Sequence, residues 1–321
     1  MVNELKAREA ATLTGRSAAA LPKQAAANRG STANLTGWMA ALAASPPDTP
    51  ETPWEIDRMA TAAPTQTLPL LYNSLEPLNV TQHGKMKIRP VDKPTMIANT
   101  HAIPATVDEF ALLQRHYPIV FSVGDNPVPL VLMGLSEGIN VFLNEEGRLH
   151  DPSVYVPAYL RRYPFLLARL RPESDELSLC FDPTAGAVGD FDEGEPLFDG
   201  DQPSEATKAV LEFCEQFETA GQRTALFLEE LKKSGLLMDG EVAIQPEGAD
   251  QPFVYRGFQM VDEEKLREMR GDELRKMNQN GMLPLIYAHL FSLPQIREVF
   301  SRQVMQGKGP VAAPQPAAVE A

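Results

Sequence analysis

Pro118-Ile119-Val120-Phe121-Ser122, the turn Gly124-Asp125-Asn126-Pro127 and the apolar run over residues 128–135 decide the fold. A β-branched and aromatic run of five residues, closed by Gly, Asp, Asn and Pro and followed by a second apolar run, reads as two strands joined by a tight connection. Ile139-Asn140-Val141-Phe142-Leu143 alternates before Asn144-Glu145-Glu146-Gly147 and predicts a third strand. Three strands with short loops predict an antiparallel meander. Leu177 to Phe181 predicts a further strand.

Helical signals flank and follow these strands. Thr106-Val107-Asp108-Glu109-Phe110 predicts a helix start, with Thr106 as cap and two acidic residues at its positive end, running to about His116. Ser204 predicts a second cap, followed by apolar residues at Val210, Leu211, Cys214 and Phe217 and then Leu226, Phe227 and Leu231, with Ser234-Gly235 as the stop. After a strand at Phe253–Phe258, Asp262 predicts a third cap on a helix running towards Asn280-Gly281. Residues 283–303 supply a final helical pair around Pro294. A strand-rich, antiparallel N-terminal half followed by a helix-rich C-terminal half is an α+β fold.

The ends read differently. Residues 1–58 are rich in Ala, Thr, Ser, Pro and Asn, their charges cancel, and they predict a disordered extension. Met59-Ala60-Thr61-Ala62 is an alternative start for the chain. A single domain is expected over 59–305, and the Gly/Pro/Ala-rich stretch 306–321 reads as a disordered tail.

Composition narrows the function. The net charge is -14, from 43 acidic and 29 basic residues, which disfavours binding to nucleic-acid phosphates. The apolar runs are too short to span a bilayer, so the chain is not expected to be membrane-spanning. Two cysteines, Cys180 and Cys214, sit in apolar contexts without a CxxC spacing, which predicts reduced buried thiols and a cytoplasmic setting.

No catalytic motif stands out. The five histidines form no zinc-ligand spacing, and no Walker A, GxGxxG or GxSxG pattern occurs, so no metal and no cofactor is implied. Gly189-Asp190-Phe191-Asp192-Glu193-Gly194-Glu195 has carboxylates enough for calcium but fails the EF-hand spacing, and reads as a solvated loop. His289, in Ile286-Tyr287-Ala288-His289-Leu290, is either a hydrogen-bonded core residue or a site histidine.

The strongest candidate is Val154-Tyr155-Val156-Pro157-Ala158-Tyr159-Leu160-Arg161-Arg162-Tyr163-Pro164-Phe165. Two guanidiniums in so apolar a segment need carboxylate or carbonyl partners, inside the fold or on another molecule. One arginine locked to an internal carboxylate is the structural reading. The functional reading holds that Arg161 and Arg162 take a small anionic ligand or a protein partner, with Tyr155, Tyr159 and Tyr163 as a flat contact surface. At spacings of four, those tyrosines would share one helix face, with Pro157 in the first turn and Pro164 at the end. An enzyme acting on a small anionic or peptide substrate, with His289, Tyr159 and Arg162 in one cleft, is the alternative.

That segment, with Tyr117 to Ser122, Leu197-Phe198, Pro203-Ser204, Arg256-Gly257-Phe258, Val261 to Leu266, Ile286 to Leu290 and Ser292-Leu293, resembles the SapC family of bacteria over about residues 68–303. The resemblance implies a link to surface-layer protein production or export, as a soluble accessory rather than a channel. It supplies no catalytic residues.

Overall fold

The computed structural model describes residues 68–90, 97–144, 148–171, 175–245 and 252–309. The predicted extension over 1–58, the alternative start at Met59 and the tail beyond Gly309 lie outside the described residues.

The first part of the chain is built from short strands. They are β1 (Glu76–Pro77), β2 (Lys87–Ile88), β3 (Ala102–Pro104), β4 (Ile119–Phe121) and β5 (Pro129–Leu132). Next come β6 (Phe165–Arg169), β7 (Leu177–Phe181), β8 (Val188–Gly189), β9 (Glu195–Pro196), β10 (Phe198–Asp199) and β11 (Gln202–Pro203). Two longer strands follow, β12 (Leu237–Ile244) and β13 (Phe253–Val261). Three short helices punctuate the first part: α1 (Val80–His83), α2 (Phe110–Leu113) and α3 (Ala158–Arg162). The C-terminal half carries α4 (Glu205–Lys233), α5 (Glu263–Glu268), α6 (Gly271–Gln279), α7 (Met282–Ser292) and α8 (Gln295–Met305). The architecture is α+β, with antiparallel sheets concentrated in the N-terminal half and helices in the C-terminal half.

The principal sheet has the order β12-β13-β4-β5-β3, antiparallel throughout. Ile119, Val120 and Phe121 are all buried, because β4 lies in the middle and is covered on both faces. The β4–β5 turn is closed by Ser122, whose N–H donates to the Val128 carbonyl while its hydroxyl accepts from Val128 N–H at 2.9 Å. Two expectations change here. The third strand beside β5 is β3, an earlier segment; residues 139–143 form no strand of the sheet, only the isolated bridge Leu143 to Leu149, with Val141 N–H donating to the Met133 carbonyl. The sheet also recruits the β12–β13 hairpin, and β12 had no counterpart in the sequence reading. Gly240 sits at that hairpin's bulge because a Cβ there would lie 2.2 Å from the Phe258 ring.

The helices follow their caps with two exceptions. Ser204 Oγ accepts from Thr207 N–H, Asp262 accepts from the N–H groups of Glu264 and Lys265, and α4 buries a stripe including Cys214, Phe217, Thr224, Phe227 and Leu231. Thr106, however, makes no side-chain cap bond. A 3-10 turn over Val107–Glu109 leads into α2, which ends at Leu113 rather than running helical to His116. The helix opened by Asp262 breaks at Met269-Arg270 before resuming as α6.

Among the described residues three smaller sheets accompany the principal one: β1-β7-β6, β8-β2-β9 and the two-stranded β10-β11. A second apolar cluster joins Phe165 and Phe181 of β6 and β7 to Val188 of β8, to Leu197 and to Cys214 of α4. The acidic stretch 189–195 joins β8 to β9, and among the described residues no group of three or more His, Cys, Asp or Glu side chains is placed to hold a metal ion.

Candidate functional site

The Tyr/Arg segment folds into one short helix, α3. Pro157, with φ -53° and ψ 142°, delivers the chain into it and has no side chain to cap it. The cap comes from elsewhere. The Glu109 carboxylate, nearly fully buried, accepts the Ala158 N–H at 2.6 Å and 3.2 Å through its two oxygens. Burial raises the Glu109 pKa, and the Ala158 N–H and the Arg161 charge oppose the rise. Glu109 was expected only as a favourable charge at the start of its own helix; its reach to a helix start 49 residues on left no mark in the local pattern.

Because α3 spans only Ala158–Arg162, the three tyrosines do not share a helix face. Tyr159 is buried and donates to the Leu70 carbonyl at 2.6 Å; burial pushes its pKa up to about 12. Tyr155 lies before the helix, where its hydroxyl accepts from Arg161 Nη2 at 2.7 Å and donates to Glu109 Oε2 at 3.4 Å. Tyr163 follows the helix, packs edge-on against Tyr72 at 5.1 Å between centroids, and precedes a cis peptide bond to Pro164.

The two arginines face opposite ways. Arg161 is exposed; it stacks over the rings of Tyr155 and Phe213 and donates to the Val156 carbonyl at 3.1 Å. Arg162 is 2% exposed. Its guanidinium lies 4.2 Å from the Phe217 ring centroid, 5.0 Å from that of Tyr159 and 5.9 Å from that of Tyr72. Among the described residues one contact to a carboxylate answers it, Nη1 to Glu218 Oε1 at 3.4 Å, a single contact and not a bidentate one. Nε and Nη2 are buried and, among the described residues, have no hydrogen-bond partner. Burial raises the Glu218 pKa, and Arg162 opposes the rise. Cation–π attraction from the rings offsets part of the guanidinium's desolvation.

His289 belongs to the principal sheet. Its Nε2 accepts from Val261 N–H at 3.0 Å and its Nδ1 donates to the Ile119 carbonyl at 2.8 Å. It thereby ties β13 to β4, and burial lowers its pKa to about 4. Ser292 completes the arrangement by accepting from Ile119 N–H and donating to the His289 carbonyl. With both ring nitrogens held by main chain, His289 offers no free atom to a substrate. No hydrogen bond or ring contact joins it to Tyr159 or Arg162.

Where the segment does face open space is along its other side. Val156, Pro157, Leu160, Tyr163 and Pro164 form one wall of a cavity of about 630 Å³. Leu71, Ile88, Met133, Leu143 and Leu149 line much of the rest, with Arg89, Arg148 and Glu195 as its charged members. Leu71 has φ 78°, a left-handed conformation uncommon for a residue with a Cβ. The turn that holds it is pinned on both sides: Tyr159 bonds the Leu70 carbonyl, and the Tyr72 hydroxyl donates to the Phe165 carbonyl at 2.8 Å. Buried Tyr159 and Arg162 thus brace the wall without entering the cavity. The cavity-lining residues are dispersed over residues 71–195, which is why no motif announced them.

Fold and site together define an α+β protein whose most marked segment is half internal brace and half cavity wall. The SapC family model matches residues 78–299, well over half of the chain, and the chain belongs to that family. No curated protein and no solved structure matches it.

Proposed function

We propose that this SapC-family chain is a binding protein that acts without chemistry of its own, as an accessory in surface-protein production or export. The observation that carries the reading is the cavity walled by the Tyr/Arg segment. Its volume falls within the roughly 300–1,000 Å³ range of small-molecule sites, and its lining is mainly apolar with a few charged groups, as such sites are. The tyrosine and histidine that an enzyme acting on an anionic substrate would use are engaged: Tyr159 with the Leu70 carbonyl, His289 with two main-chain groups. Among the described residues no helix is long and apolar enough to cross a membrane, which suits an accessory rather than a channel. Cys180 and Cys214 are buried free thiols, and burial pushes both up to about 11, which suits a reducing, cytoplasmic setting.

The test is retention of a ligand. The full chain and a Leu160→Trp variant, both checked for folding by circular dichroism, are incubated with cell extract, desalted and examined by native mass spectrometry. A small-molecule adduct on the native chain and none on the variant is the expected result. No adduct on either folded protein would overturn the reading.

A further inference from the structure

The charged lining of the cavity is uneven. Arg89 and Arg148 both line it and both are exposed, so they stand where it opens to water. The Arg89 guanidinium carbon lies over the Phe191 ring, 3.8 Å from its centroid, and its Nε donates to the Gly186 carbonyl at 3.3 Å. The ring contact and the carbonyl bond together restrain the guanidinium. Arg148 is fixed through its backbone. Its N–H donates to Asn144 Oδ1 at 2.9 Å while its carbonyl accepts from Asn144 N–H at 2.8 Å.

Among the described residues neither guanidinium forms an ion pair, in a protein whose net charge is -14. Among the described residues Glu195 is the one carboxylate in the lining, and it too is exposed. Two positive groups among the described residues thus stand against one negative at the mouth, on a chain whose net charge is -14. Behind the mouth the walls are mainly Leu, Ile, Met, Val, Ala and Pro, with Tyr117 and Tyr163 among them.

Resting on the reading of this cavity as the binding site, we propose that its ligand is a single-chain amphipathic anion. The apolar chain lies against Leu71, Met133, Leu149 and Leu160, and a carboxylate or phosphate head lies between Arg89 and Arg148. The planar fork of arginine suits both heads, which it takes through paired N–H donors. An apolar wall without the arginines would accept a neutral chain equally well. The arginines without the wall would accept inorganic anions. Only the combination selects an amphiphile, and Glu195 weakens the attraction without reversing it.

Calorimetric titration of the full chain with dodecanoate, dodecyl phosphate and dodecanol tests this. Either anion is expected to bind about tenfold or more tightly than dodecanol, the worth of one charge-assisted contact at a partly exposed site. The tighter of the two anions identifies the head group. The Arg89→Gln/Arg148→Gln variant should bind anion and alcohol alike, and Glu195→Gln should tighten anion binding. Leu160→Trp should weaken all three probes. Equal binding of dodecanol and both anions by the native chain overturns the inference but leaves the cavity a binding site. Anion binding that Leu160→Trp leaves intact places the ligand elsewhere and overturns the inference. If none of the three probes binds the folded native chain, the inference fails and the cavity reading loses its support with it.

Discussion

His289 and Arg162 are both buried, and the protein treats them in opposite ways. His289, on α7, has a main-chain partner for each ring nitrogen and stays neutral, its pKa lowered to about 4. Arg162, on α3, has one 3.4 Å contact to Glu218, three aromatic rings and, among the described residues, two N–H-bearing nitrogens without partners. At the principal sheet the buried side chains of His289 and Ser292 have their polar atoms partnered. The region beside the cavity leaves one incompletely satisfied. Unsatisfied buried donors cost about 1–3 kcal/mol each and are retained where something else depends on them. Here the dependent feature is the bracing of the cavity wall, through the stack of Arg162 on Tyr72 and Tyr159.

The contrast can be broken most sharply at Glu218. Glu218→Ala leaves the guanidinium buried without a counter-charge and should cost about 3–5 kcal/mol in urea unfolding. The paired change Arg162→Met with Glu218→Met removes both charges together and should recover most of that loss, because apolar replacements of a buried pair are often neutral or stabilising. A double variant no better than the single one would mean the pair contributes more than mutual neutralisation.

The second comparison is in pH. A histidine lowered from 6.5 to about 4 takes up its proton in the unfolded chain first. Its contribution to stability is therefore fully present above pH 6.5 and is lost as pH falls towards 4, by about 3 kcal/mol in all. Measured against His289→Gln, the native protein's advantage should shrink across that window. An advantage that stays constant from pH 6.5 to 4 would show that His289 is not held neutral.

Glu109 gives a smaller effect. Glu109→Gln weakens the cap on Ala158 and should cost about 1 kcal/mol, with binding in the cavity weakened in step because α3 carries its wall. A variant of native stability would remove Glu109 from the account.

How much was legible follows the same division. The runs at Ile119–Phe121 and Pro129–Leu132 and the caps Ser204 and Asp262 were readable because each depends on residues within a few positions of itself. Sheet order was not, since β3 and the β12–β13 hairpin reach β5 and β4 across long stretches of chain. The segment at 154–165 was conspicuous because Arg-Arg among Tyr and Pro is costly to bury. Which arginine turns inward was settled by Phe217 and Glu218, on α4, far along the chain. Tyr155, Tyr159 and Tyr163 failed to share a face because Glu109 and Pro157 start the helix at Ala158 and Tyr163 ends it. The cavity was invisible for the same reason as the cap from Glu109: its residues share a place and no period.

The most direct test of the central claim sets the two neighbouring arginines side by side in urea unfolding. Arg161 is exposed and lies on ring faces at the surface, so Arg161→Ala should shift stability by less than about 1 kcal/mol. Arg162→Ala should cost about 3–5 kcal/mol, since it strands the Glu218 carboxylate and removes the brace behind the cavity. Equal costs for the two variants, or a larger cost at Arg161, would contradict the division of this segment into an inner brace and an outer wall.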